Sequence, residues 1–298
     1  FRRLPSRAGG AAVENAGMRL RKLLGALGLI AWLGAGAQAQ TLDPSAYPDW
    51  RGQWLRTGPG RGNPWDPSKG MGLKEGAPLT PEYQAILEAS LKSQEAGGQG
   101  IDPTYLCVPS GMPRGMIAVL PMEIIITPET TYVALELFSA HRRIYTDGRD
   151  FPANLQPSFA GYSIGHWQDS KGTGRYDQLV VETRGLKGPH TYDSSGVPFH
   201  KDDQAIITER LYSDRDDPNI LHNEVTVTDH ALTRPWTVTR SYHRDSRPQP
   251  LWTETYCTED NHHVFIGGHN YIVSGDGYLM PARKDEPPPD LRNFAAGK

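Results

Sequence analysis

The chain has little cysteine, no excess of charge and no long apolar run, and each shortage removes a class of protein. Only 2 cysteines occur in 298 residues, Cys107 and Cys257. Without a Cys-x-x-Cys pair, neither a dithiol redox motif nor a cysteine-rich zinc site can be built. The charged side chains nearly balance, 31 basic against 34 acidic. That balance supplies neither the electrostatic footprint of a nucleic-acid binder nor a polybasic membrane patch. No dinucleotide fingerprint or phosphate loop is present. The longest apolar stretch, Leu23 to Leu33, is about half of the ~20 residues that a spanning helix needs, so no stable membrane span is expected.

That short stretch is itself informative. Arg19, Arg21 and Lys22 precede it and Ala37-Gln38-Ala39 follows it. A basic segment, an apolar segment and an Ala-x-Ala site together describe a secretory signal peptide over 18–39. The mature chain then starts near Gln40 or Thr41, and the protein is expected to be periplasmic or secreted. Residues 1–17 read as non-native upstream sequence, since Phe1 cannot initiate and Arg2 to Gly17 carry no apolar period. Export decides how the cysteines are read: in an oxidising compartment Cys107 and Cys257 form one disulfide, with a thiol catalyst as the rival reading. The bond would staple the first barrel strand to the last.

Glycine (32) and proline (25) are plentiful, as many short strands joined by turns require. Residues 40–100 read as an extended arm followed by a helix. Trp50 and Trp54 lie in the arm, which packs on the barrel. The helix runs from Pro81 to Glu95, with Thr80 as N-cap, Pro81 in the first position and Tyr83, Ile86, Leu87 and Leu91 at helical spacing. From about residue 101 to 284 the pattern is that of strands: Glu123–Thr127, Thr131–Phe138, Arg142–Tyr145, Tyr162–Trp167, Gln178–Thr183, Ala205–Tyr212, Ile220–Thr228, Trp236–His243 and Leu251–Tyr256. Val264 to Ile272 is a further candidate, and 285–298 reads as a flexible tail. No second helical pattern intervenes, which argues against a parallel sheet with crossover helices. The expected fold is all-β: an antiparallel barrel of about 8–10 strands, with a two-sheet sandwich as the alternative.

Ionisable residues on strands are the anomaly, because a barrel of this size has room only for side chains or one small ligand. His141 to Arg149 is the densest polar run. Asp147-Gly148 is a hairpin signal, and alternation sets Arg142 and Ile144 on one face, Arg143 and Tyr145 on the other. Arg143 and Tyr145 are expected to hold an anionic or phenolic ligand, since their donors suit oxyanions. A charged rim in which Arg149 and Asp147 tie a turn is the competing reading. In Tyr162 to Trp167, His166 is the candidate general acid or base. Glu209 shares a face with Ile207 and Leu211, so it needs an arginine (Arg143 or Arg234) or serves as a base. Arg210, Arg234, Trp167 and Trp236 complete the expected ligand contacts.

His190, Asp193, His200 and Asp202 invite a metal reading, but their spacings match no standard zinc pattern. Of His262, His263 and His269, the adjacent pair would point to opposite faces of a strand. No metal and no other cofactor are expected. Serine-hydrolase chemistry is disfavoured because an all-β chain lacks the strand-to-helix elbow that presents such a nucleophile.

Several segments resemble an uncharacterised family of exported bacterial proteins. They are Arg143-Ile144-Tyr145-Thr146-Asp147-Gly148-Arg149, Gly161-Tyr162-Ser163-Ile164-Gly165-His166-Trp167, Leu179–Thr183 and Thr233-Arg234-Pro235-Trp236-Thr237. Glu209-Arg210, Cys107 with Gly111-Met112-Pro113-Arg114, and Glu254 with Cys257 fit the same pattern, which spans about residues 105 to 260. The resemblance implies a β-barrel of lipocalin or calycin shape and no settled activity. Where relatives often show Arg-Trp-Glu-Gly-Asp, this chain has His166-Trp167-Gln168-Asp169 and a longer turn.

The expected function is a cofactor-independent lyase or isomerase acting on an aromatic or apolar small molecule in the lumen. His166 or Glu209 moves a proton, Tyr145 donates to a developing oxyanion and Arg143 clamps the substrate. The alternatives are a periplasmic carrier for a hydrophobic ligand and a structural envelope protein. A convergent His–Glu–Arg–Tyr group favours the enzyme, an aliphatic lumen the carrier and a filled lumen the structural role.

Overall fold

Alternation of apolar and polar residues closes into a nine-stranded barrel. Its strands are β1 (Gln53–Arg56), β2 (Met122–Ile126), β3 (Thr130–Leu135), β4 (Ala140–Tyr145), β5 (Tyr162–Gln168), β6 (Gln178–Arg184), β7 (Ile206–Ser213), β8 (Ile220–Thr228) and β9 (Trp236–Arg244). They neighbour one another in chain order, and β9 pairs with β1 to complete the ring. A closed ring with an odd number of strands cannot alternate in direction throughout. The wholly antiparallel barrel expected from sequence is therefore corrected at one seam: β4 and β5 run parallel, Ile144 opposite Ser163 and Tyr145 opposite Ile164. A parallel return needs a dozen or so residues, which 146–161 supply without a helix.

The computed structural model describes residues 42–57, 76–95, 100–117, 120–257, 263–266, 269–273 and 279–281. The expected upstream segment, signal peptide and tail (1–17, 18–39 and 285–298) lie outside them. No helix among the described residues is long and apolar enough to cross a membrane.

Two segments depart from expectation. Gln53–Arg56, assigned to a packing arm, is the first barrel strand and is buried on both faces. Leu251–Tyr256 is not a strand; it leaves Leu251 68% exposed, because β1 already occupies the edge of β9. Beyond it, β10 (His263–Ile266), β11 (His269–Val273) and β12 (Leu279–Pro281) form a separate three-stranded sheet.

The barrel interior is filled. Trp54, Leu179, Ile207, Leu221, Val225, Trp236 and Tyr242 project inward and are almost wholly buried. Antiparallel connections fall at alternate ends. One end receives the β3–β4, β6–β7 and β8–β9 connections, and two insertions stop it. The short helix α2 (Arg114–Ile117) buries Gly115, Met116 and Ile117, and the Tyr242 hydroxyl donates to the Met116 carbonyl. The β6–β7 loop, residues 185–205, buries Leu186, Tyr192, Val197 and Phe199.

Helix α1 (Pro81–Glu95) begins as the sequence predicts, with the Thr80 carbonyl accepting from Gln84 N–H at 2.8 Å. Thr80 N–H is spent on the Ala231 carbonyl, which fixes the helix to the β8–β9 turn. Its buried face is Tyr83, Ser90 and Gln94, with Ile86 left exposed. Polar residues sit inward here because α1 packs on loop backbone: Gln94 donates to the Ser194 carbonyl at 3.1 Å.

Cys107 and Cys257 form the expected disulfide, with Cα atoms 5.4 Å apart. Neither lies in a barrel strand; the bond ties the segment after β9 to the segment before β2. It closes a span of 150 residues, so reduction or Cys107→Ser/Cys257→Ser is expected to lower unfolding stability by about 2–5 kcal/mol. Urea unfolding with and without reductant measures this. An unchanged midpoint would contradict it.

Candidate functional site

Arg142 is the chemical centre of the barrel. It projects inward from β4 with 2% of its side chain exposed and meets Glu209 of β7, which has none exposed. Nη1 donates to Glu209 Oε1 at 3.1 Å, and Nη2 also reaches the second carboxylate oxygen. Nε and Nη2 donate to Ser163 Oγ at 3.2 and 3.1 Å, and Nη2 to Thr183 Oγ1 at 2.9 Å. Asn223 Nδ2 donates to Glu209 Oε1 at 2.9 Å. Two charges buried in a low-dielectric interior are tolerable only when paired and surrounded by donors and acceptors in this way. Small residues on β5 make the room. A Cβ on Gly165 would sit 2.6 Å from the Ile144 side chain, so glycine permits the close β4–β5 seam.

The alternation predicted from sequence is correct, but the inward face is the other one on two strands. Arg142 and Ile144 face the core, whereas Arg143 is exposed and Tyr145 lies on the outer face. Tyr145 stacks on Tyr162 at 4.8 Å beneath the Arg149 guanidinium, and Arg149 grips Asp147. This is the charged turn, not a lumen clamp. His166 is exposed, since Ser163 and Gly165 take the inward positions of β5. Glu209 faces inward as expected, and its arginine is Arg142 rather than Arg143 or Arg234. Arg210 pairs outside with Glu224 at 2.9 Å, and Arg234 is exposed in the β8–β9 turn. Trp167 packs against Tyr47 and Trp50, and Trp236 is buried against Tyr192 at 4.5 Å. The structure thus brings none of His166, Tyr145 and Glu209 together.

Gly161-Tyr162-Ser163-Ile164-Gly165 spells Gly-x-Ser-x-Gly, the pattern of a serine nucleophile elbow. Ser163 nevertheless sits within a strand, and its hydroxyl meets Arg142 and Thr183 instead of a histidine.

A second interior group lies towards the β6–β7 loop. Arg240 is 8% exposed, and its Nε and Nη2 have no hydrogen-bond partner among the described residues. Burial pushes the Tyr192 phenol up to about 12, partly offset by Arg240. Burial and the neighbouring Arg240 charge also lower the pKa of Arg56.

The stoppered end carries a cavity of ≈ 260 Å³. Its walls are the disulfide, Pro109, Met112, Leu135, Phe138, Ala140, Phe159 and Ala160, and the only polar side chains among its lining residues are Ser110, His141 and Arg142. Gly111 shapes it. At φ +60 a Cβ there would lie 2.3 Å from the Phe159 carbonyl oxygen, which instead accepts from Met112 N–H at 3.1 Å.

On the outer side of the same end, His200 and Asp202 meet, joined by His230 from the β8–β9 turn. The Asp202 carboxylate contacts His200 Nδ1 at 3.0 Å and His230 Nδ1 at 2.5 Å. Burial works to raise the Asp202 pKa, but hydrogen bonds from His230, Gln204 N–H and His200 hold it at about 2. His190 and Asp193 stand apart from this group. Asp193 accepts from Ser195, while His190 is buried against Phe199, and neither ring nitrogen has a side-chain hydrogen-bond partner among the described residues.

No protein-family model matches the chain, and no curated protein is similar to it.

Two outcomes follow from these environments. Glu209→Gln strands the Arg142 charge and is expected to destabilise by about 3–5 kcal/mol in urea unfolding, whereas Arg142→Met with Glu209→Leu recovers most of that loss. A double variant as unstable as the single would contradict this. Burial depresses the His190 pKa from its ordinary 6.5. The unfolded chain therefore takes up the proton first, and stability is lost as pH falls below about 6.5. His190→Phe is expected to flatten the melting temperature between pH 7 and 5; an unaltered slope would assign the loss elsewhere.

Proposed function

We propose that the protein is an exported binding protein that carries a small, largely apolar molecule of the aromatic class in the cavity beside the disulfide. The observation that carries this reading is the cavity's composition: apolar walls, with Ser110, His141 and Arg142 as the only polar side chains among the described residues. Pockets of this kind, of a few hundred Å³ with a few placed polar groups, are the usual form of small-molecule sites. Arg142 closes the cavity floor with its guanidinium already committed to Glu209, Ser163 and Thr183. It therefore offers the ligand a fixed charge and is not free to move a proton. The expected lyase or isomerase chemistry has less support, because His166 and Tyr145 lie on the outer face and Glu209 is held by Arg142 and Asn223. Periplasmic or secreted residence is part of the proposal; the disulfide and the apolar run ending at Ala37-Gln38-Ala39 support it.

Phenylnaphthylamine, an uncharged aromatic whose fluorescence rises in apolar surroundings, is the probe. Wild-type protein is expected to bind it at one site, and Ala140→Trp, which fills the cavity, to weaken binding by about tenfold or more with the fold retained. His166→Ala is expected to leave binding unchanged. Absence of binding, or binding indifferent to Ala140→Trp, would overturn the proposal.

A further inference from the structure

His200, Asp202 and His230 come from two loops that sequence separates and the barrel end unites. One donor atom from each lies within 4.8 Å of the other two. We propose that these three side chains bind one divalent transition-metal ion of the zinc class, clasping the β6–β7 loop to the β8–β9 turn.

The donor set selects the metal. Two imidazoles with one carboxylate suit zinc and its transition-metal neighbours, whereas calcium and magnesium seek all-oxygen shells. Bonds of ~2.0–2.2 Å require only a small contraction of the cluster, by side-chain rotation. The contact from Asp202 N–H to His200 Nδ1 at 3.2 Å is one the ion would replace.

The backbone is already arranged for this without the imidazoles. Asp229 Oδ1 accepts from His200 N–H at 2.9 Å and from Ala231 N–H at 2.8 Å, so one carboxylate sets both ligand-bearing segments. The Thr80 and Thr233 backbone bonds hold the same turn against the start of α1. Tyr83 of α1 backs the His200 ring at 5.3 Å, and its hydroxyl accepts from Lys201 N–H. Ligands supported in this way lose little freedom on binding.

A second observation points to a ligand. His200 lines a cleft of ≈ 590 Å³ that also has His190 on its wall. His190 is 7% exposed, and among the described residues neither ring nitrogen has a side-chain hydrogen-bond partner; its polar neighbours are the Lys187 backbone and the carboxylates of Asp203 and Asp229. Three protein ligands leave positions open on a tetrahedral ion. A water or an anionic group bound there would lie on the cleft side.

The experiment is zinc titration of chelator-stripped full-length mature protein in competition with a chromophoric chelator, with metal content measured after desalting. His230 has 67% of its side chain exposed, so His230→Gln leaves the fold intact; Asp202→Asn is the second variant and His166→Ala the control. The expected result is one equivalent of zinc for wild type and His166→Ala, a loss of affinity of about tenfold or more in both cluster variants, and slowed amide exchange over 188–203 on zinc addition. Two results would overturn the proposal: no zinc retained by the wild type, or one equivalent retained by both cluster variants.

Discussion

The ion pair between Arg142 and Glu209 is the constraint on which the rest of the barrel depends. A guanidinium and a carboxylate with almost no exposure are stable only while every neighbour cooperates. Ser163, Thr183 and Asn223 supply those neighbours from β5, β6 and β8, so one network, with Arg142 on β4 and Glu209 on β7, ties five strands around the core. It also decides what the interior can do. With its charges committed and with Trp54, Trp236 and Tyr242 filling the remaining space, the lumen is a structural core, and a ligand is left to the end of the barrel.

That end is built by insertions. Helix α2 and the β6–β7 loop fill the opening, the disulfide joins the segments before β2 and after β9, and the positive φ of Gly111 lets the chain pass close beneath Phe159. The cavity lies between the disulfide, the 109–112 segment, the β3–β4 connection with the start of β4, and Phe159-Ala160. Its buried polar lining is Ser110 and the same arginine that organises the core. Binding and stability are therefore coupled through Arg142, and a change to the network should be felt at the cavity floor.

Much of this was legible in the sequence, and the failures have physical causes. Helix α1 announced itself through Thr80, Pro81 and the Tyr83–Leu87 spacing, and most strands through alternation. Strand β1 was hidden because Gln53–Arg56 is short and follows a glycine and prolines; its partners β2 and β9 define it, and they are distant in sequence. Leu251–Tyr256 looked like a strand but finds no open edge once β1 has closed the ring. Alternation gives parity and not sign: it separated Arg142 from Arg143 and Ser163 from His166, but closure chooses which member faces in. A usable signal was there, since Arg142 shares its face with Ile144 and β5 offers only serine and glycine beside it. Spacing rules could not see His230 join His200 and Asp202, because that meeting is a product of two loops sharing one end.

The most direct test of the account is amide hydrogen exchange on the intact disulfide-bonded protein, with and without phenylnaphthylamine. The account predicts ligand-dependent protection over residues 108–112, 138–142 and 159–160, with β8 and β9 unchanged. Protection confined to the β6–β7 loop and the inner strands around Arg240 would place the ligand inside the lumen and contradict it.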